Sequence, residues 1–216
     1  MAKRELHSPP DQALVRATLA RYGFAPTHAQ IELIQSYIQL LLLWNRKINL
    51  TSLVSHRDIL ERHFGESVFA LCSVPIVSGR LADVGSGAGF PGLALKIARP
   101  GMNVVLVEAN HKKAAFLSEV RRVLSLEGVE IVCARIEQLG AKRGFADFVS
   151  ARAVGDFPKI LLWSSQALPA HGKLLLWVGS DEAIRLSKTN GWLWGSPVTI
   201  PGSRRRVLLI GEPAPA

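Results

Sequence analysis

Residues 81–101, LADVGSGAGFPGLALKIARPG, pass from a short apolar strand through a burst of glycines into an apolar helix. No other stretch constrains the fold as strongly. Glycine has no Cβ, so the backbone can turn tightly there and approach a ligand closely. Asp83, Gly85, Gly87 and Gly89 spell D-x-G-x-G-x-G. Gly87, Gly89 and Gly92 also satisfy G-x-G-x-x-G, a dinucleotide pattern that is weak alone. No Gly-Lys-Ser/Thr follows, which excludes a P-loop.

The alternation continues downstream. NVVLVE reads as a second strand and HKKAAFLSEVRRVLSLEG as a second helix, with Gly128 placed to stop it. VEIVC, FADFVSA and GKLLLWVG are three further strands. Strands alternating with helices imply a parallel sheet covered on both faces. The tail differs: WLWGSPVTIP and RRRVLLIGE flank PGS with no helix between, which predicts an antiparallel hairpin. Residues 77–216 are therefore expected to form a doubly wound α/β domain.

The first 76 residues read as a helical lobe. DQALVRATLAR is a short helix ended near Gly23. Thr27 and Gln30 have capping-box spacing, followed by a stripe of Ile31, Ile34, Ile38 and Leu41. A third helix is expected over about 57–72, and LLLLW (40–44) as packing between the lobes.

Three features favour S-adenosylmethionine over a dinucleotide. Asp83 ends the first strand, where it can orient the loop or meet the amino-acid end of the cofactor. Glu108 ends the second strand, where it can accept from both ribose hydroxyls, a role shared with NAD sites. The terminal hairpin suits a class I (Rossmann-like) methyltransferase sheet, seven-stranded and mostly parallel, and not a second mononucleotide half. A ligand-free turn and a NAD-linked oxidoreductase are the alternatives.

Charge and cysteine content add to this. Lys and Arg outnumber Asp and Glu by 26 to 17, a formal charge of +9. Such an excess suits a polyanionic partner. Cys72 and Cys133 make neither a disulfide framework nor a metal site and read as reduced core thiols, so no metal is expected. MAKRELHSPPDQ lacks the apolar core of a signal peptide, and no apolar run is long enough to span a bilayer. A cytoplasmic protein, a monomer with no membrane association, is expected.

Chemistry narrows the methyl acceptor. Exocyclic base amines commonly call for an Asn/Asp-Pro-Pro-aromatic loop after the fourth strand, where this chain has FVSARAV. Pyrimidine C5 needs a cysteine nucleophile, and neither cysteine is well placed. Guanine N7 needs neither device, because its lone pair is free at neutral pH. Catalysis there rests on alignment.

DVGSGAGFPG, VEANHKKAAFLSEVRRVLSL, RIEQ and SARAV, with the earlier NLTS and HFGES, come in an order that resembles the small-subunit rRNA guanine-N7 methyltransferases, the RsmG (GidB) family. The resemblance runs from about residue 45 to 180. It implies 7-methylation of a guanine in the decoding-region loop of 16S rRNA, as free rRNA or in the small ribosomal subunit, with S-adenosylmethionine as donor. It places cofactor contacts on Gly85 and Phe90, and adenine contacts on Ile136 and Glu137. Arg152, after the fourth strand, is the expected catalytic residue, meeting the cofactor carboxylate, an RNA phosphate or guanine O6. The chain departs from the family where Trp177-Val178-Gly179 replaces Lys-Gly and where Glu66 replaces Asp. Trp177 is read either as a base-stacking residue or as core.

Asn49, His63, Pro91, Trp177, Arg204, Arg205 and Arg206 are the candidate RNA contacts. Other basic groups are Arg46/Lys47, Lys112/Lys113, Arg121/Arg122 and Lys142/Arg143. His63 reads either as a substrate contact or as a buried bridge between lobes, and Asn49 as a cap or a contact. Two other functions stay open: a class I methyltransferase with another RNA or small-molecule acceptor, and a ribosome-assembly factor that binds the cofactor without turnover.

Overall fold

A computed structural model describes residues 8–215. The first seven residues of the N-terminal stretch read above lie outside them.

Two helices open the described residues. The Asp11 side chain caps α1 (Gln12–Ala20) by accepting from the Ala13 N–H. Thr27 and Gln30 form the expected capping box at the start of α2 (His28–Asn45). The predicted stripe Ile31, Ile34, Ile38 and Leu41 is buried along α2.

The single helix expected over 57–72 is broken. Its parts are α3 (His56–Ile59), a π-helical segment (Leu60–Gly65), α4 (Glu66–Val68) and α5 (Ala70–Ser73). Such widened turns recur at functional sites. Gly65 ends the π segment against the Tyr22 ring, where a Cβ would lie 2.4 Å from a ring carbon.

The strands are β1 (Gly79–Val84), β2 (Met102–Val107), β3 (Val129–Val132), β4 (Phe148–Arg152), β5 (Lys173–Gly179), β6 (Trp192–Trp194), β7 (Val198–Thr199) and β8 (Arg206–Pro213). They form one sheet in the order β3-β2-β1-β4-β5-β8-β6, with the short β7 paired to β8. The first five run parallel, and β8 is antiparallel to β5, β6 and β7. The tail is thus the antiparallel element expected. Beyond the seven strands anticipated, a two-residue eighth pairs at the end of the hairpin.

Helices α6 (Gly92–Ala98) and α7 (His111–Val123) cover one face with α1–α5. Helices α8 (Phe157–Ala167) and α9 (Ser180–Leu186) cover the other. Side chains of α1–α5 and of the first face form one continuous hydrophobic cluster. Strand order reverses between β1 and β4, which opens a crevice at their carboxyl ends.

Two local expectations are corrected. α7 ends at Val123 with Ser125 in the left-handed region (φ 49°), so the stop lies before Gly128, whose own positive φ (65°) leads into β3. Cys72 and Cys133 are exposed and free, not core thiols. Among the described residues no helix is long and apolar enough to cross a membrane.

Candidate active site

The glycine loop hangs on the end of β2. Gly85 and Ser86 donate N–H bonds to the Val107 carbonyl at 2.8 and 3.1 Å. Gly85, Gly87 and Gly89 all have positive φ, a conformation that disfavours side chains. At Gly89 a Cβ would also fall 2.2 Å from the Tyr37 hydroxyl.

Asp83 secures this loop from behind. Its carboxylate accepts from Gly92 N at 3.1 Å and Ser150 Oγ at 2.7 Å, and Ser86 Oγ donates to its carbonyl. The side chain is wholly buried, and these hydrogen bonds orient the loop. Burial raises its pKa to about 6, against the pull of these hydrogen bonds and of Arg152.

Glu108 faces the loop from the end of β2. One carboxylate oxygen accepts from Gly87 N and the other from Asn110 N, both at 2.8 Å. Each oxygen keeps acceptor capacity. Beside it lies a cleft of about 410 Å³ lined by Val84, Gly85, Val107, Ile136, Glu137 and Val154, among others. It thus brings together residues after four different strands. Lys159 bridges Glu137 and Asp156 at 2.8 Å each on the rim, which raises its own pKa and lowers theirs. A carboxylate with spare acceptors, an apolar slot and a glycine floor fit an adenosine group.

Arg152, at the end of β4, reaches across to the π-helical segment. Its guanidinium donates to the Arg62 carbonyl at 2.7 Å and to His63 Nδ1. Glu66 lies 3.9 Å away. Two of the five N–H groups are used in this way, and the side chain keeps 15% of its surface exposed.

His63 Nε2 lies 2.8 Å from Thr51 Oγ1. Because Arg152 can only donate, Nδ1 must accept, and the proton sits on Nε2. Burial first, then Arg152 and Arg62, lower the His63 pKa to about 3. The ring is therefore neutral at neutral pH. It stacks on Phe90 at 4.6 Å between centroids, and Phe90 stacks on Tyr37 at 5.2 Å. The Tyr37 hydroxyl donates to the Ala88 carbonyl, so this column fixes the loop against α2. His63 thus links the π-helical segment to the glycine loop, Thr51 and Arg152.

Several candidates lie elsewhere than expected. Trp177 is 6% exposed and donates its indole N–H to the Glu66 carbonyl at 2.7 Å, so it packs in the core. Arg206 is turned inward onto Glu66 Oε1 at 2.8–2.9 Å, unlike the exposed Arg204 and Arg205 at the hairpin turn. Pro91 is buried at the start of α6, and the Phe90 ring is 5% exposed within its stack. Asn49 is exposed; Asn45, not Asn49, ties the turn by bonding Leu50 N, Thr51 N and the Thr51 carbonyl.

Sequence reading missed Tyr37, Thr51 and Ser150. A tyrosine on an otherwise aliphatic buried stripe was the available signal for Tyr37.

The family model for rRNA small subunit methyltransferase G matches residues 30–192. A ribosomal RNA small subunit methyltransferase G from Roseiflexus castenholzii is 38% identical over 200 residues, covering 88% of this chain and 86% of the relative. One from Chloroflexus aggregans is 35% identical over 211 residues, covering 93% and 88%. A solved SAM-dependent methyltransferase from Aquifex aeolicus shares the fold with a TM-score of 0.54 at 16% identity, covering 63% of this chain and 82% of that one.

Proposed function

The chain belongs to the rRNA small subunit methyltransferase G (GidB) family, and from that premise we propose that it methylates N7 of a guanine in the decoding-region loop of 16S rRNA. The reaction is S-adenosylmethionine-dependent rRNA methylation. The finer reading, guanine N7, is supported by one observation: the carboxylates near the end of β4, Glu66 and Asp83, are buried in an ion pair or hydrogen bonds, which leaves a fixed cation and a neutral imidazole at the site. Neither is poised to take a proton at neutral pH, and guanine N7 asks for no proton transfer.

Residues 1–76 are proposed as the helical lobe and 77–216 as the cofactor domain. When bound, S-adenosylmethionine supplies an electrophilic methyl group on a sulfonium. Glu108 is proposed to hold the ribose hydroxyls through its spare acceptor positions, with Gly85, Gly87 and the 136–137 turn around the adenosine. Asp83 and Phe90 act by fixing the loop. Arg152 offers its unused N–H groups to a carboxylate, an RNA phosphate or guanine O6. His63 and Glu66 set the direction of that guanidinium, which favours alignment of N7 for in-line attack. Arg204 and Arg205 are proposed as exposed phosphate contacts.

The test is methyl transfer from labelled S-adenosylmethionine to small ribosomal subunits from a strain lacking this protein, with nucleoside mass spectrometry of the product. Labelled 7-methylguanosine, lost in Arg152→Ala, is expected. Methylation at another position of the rRNA would reject N7 while leaving the family assignment intact.

A further inference from the structure

Two basic clusters that are far apart in sequence meet in space. Lys47, Ile48 and Asn49, from the turn after α2, face Asn110, Lys112 and Lys113, from the first turn of α7, across a cleft of about 280 Å³. We propose that this cleft seats backbone phosphate of the RNA strand that carries the target base. The inference rests on the reading of the protein as an rRNA methyltransferase.

The lining is almost entirely donor. Three ammonium groups contribute donors only. Asn110 Oδ1 is already consumed in accepting from Lys112 N and Lys113 N, which leaves its amide N–H groups for a ligand. Asn49 adds an exposed carboxamide. Among the described residues no acidic side chain lines the cleft. Among the described residues none of the three lysines joins an ion pair, while eleven such pairs form elsewhere. A donor-rich pocket without an acid matches an acceptor-only anion.

The placement of the lysines argues the same way. Lys112 and Lys113 occupy the first turn of a 13-residue helix that carries no acid there. Cations at that end oppose the helix dipole. Like charge converging from Lys47 adds repulsion. An arriving phosphate relieves both. Among the described residues no aromatic side chain lines the cleft, so they offer a base nothing to stack on, and backbone contact is the fitting mode.

Each wall of the cleft is linked to the site. Asn49 lies two residues before Thr51, which holds His63. Asn110 N is held by Glu108. A strand seated there is registered against both the Arg152 cluster and the cofactor cleft.

The experiment compares wild type with the Lys47→Ala/Lys112→Ala/Lys113→Ala variant on undermethylated small ribosomal subunits across a potassium chloride series. Each lost phosphate contact should flatten the plot of log affinity against log salt by roughly one. A slope flatter by two to three is expected, with KM at physiological salt raised roughly tenfold. S-adenosylmethionine affinity and kcat should hold. The matching Lys→Arg triple variant should restore the wild-type slope. Unchanged slope and KM in the alanine variant, while wild type methylates rRNA, would overturn the phosphate seat alone. A wild-type protein that methylates no rRNA would overturn the parent reading, and the seat with it. Loss of kcat with an unchanged slope would also overturn it, placing the lysines in another role.

Discussion

Replacing Glu66 by glutamine keeps the side-chain volume and removes one buried negative charge. Glu66 is 4% exposed and lies between Arg206, at 2.8–2.9 Å, and Arg152, at 3.9 Å. With an effective dielectric constant of about 20, the attraction at 3.9 Å is about 4 kcal/mol, before the cost of desolvating the ions. Arg206 is 41% exposed, so solvent screens its share and it recovers hydration when its partner is lost. Arg152 is nearly enclosed and cannot. Breaking such a pair by removing one partner costs roughly 3–5 kcal/mol. The screened Arg206 contact and the retained amide oxygen put Glu66→Gln at the low end, about 3 kcal/mol. For a chain of this length that is a fall in Tm of roughly 6–12 °C. Calorimetry and urea unfolding of the wild type, Glu66→Gln, Arg206→Gln and the double variant form a cycle that isolates the Glu66–Arg206 contact and leaves the rest of the Glu66→Gln loss to Arg152. The double variant should fall short of the sum of the singles. A loss below about 1 kcal/mol for Glu66→Gln would refute the claim that this carboxylate holds Arg152 in place.

Trp177→Phe leaves the Glu66 carbonyl without its donor and should cost about 1–3 kcal/mol of stability, with KM for rRNA unchanged; a raised KM at unchanged stability would restore the base-stacking role. Acid should act through His63. Its folded pKa of about 3 lies below the unfolded 6.5, so the native state binds fewer protons and loses stability as pH falls between those values. Asp83 works in the opposite sense. Its folded value of about 6 exceeds the unfolded 3.8, so it favours the fold as pH falls through that window. His63→Gln should therefore reduce the stability lost between pH 7 and 4.5 by up to about 2–3 kcal/mol. Equal losses in wild type and variant, measured by urea unfolding, would show that His63 is not held neutral.

The strand, glycine and helix signals lie within a few residues of one another, so the sequence by itself determined the parallel sheet, the loop and the position of Glu108. The capping box at Thr27 and the buried stripe of α2 were equally legible, because capping and amphipathicity are short-range. Hairpin and acid spacing were enough to favour S-adenosylmethionine over a dinucleotide.

What tertiary structure alone decided is where the side chains go once distant segments meet. Arg152 reaches the carbonyl of a residue 90 positions away, Trp177 one 111 away, and Arg206 a carboxylate 140 away. A tryptophan at a strand end has the same local pattern whether it faces RNA or a neighbouring helix. It was the Glu66 carbonyl, at the start of α4 just after the π-helical segment, that drew Trp177 inward. The same holds for the arginines of the hairpin: Arg206 turns to Glu66 because a buried carboxylate needs a partner, while Arg204 and Arg205 face solvent. Lys47 and Lys112 look like two solvated runs in sequence. Packing of α2 against α7 brings them to one cleft, and like charges held together without an acid become a place for an anion.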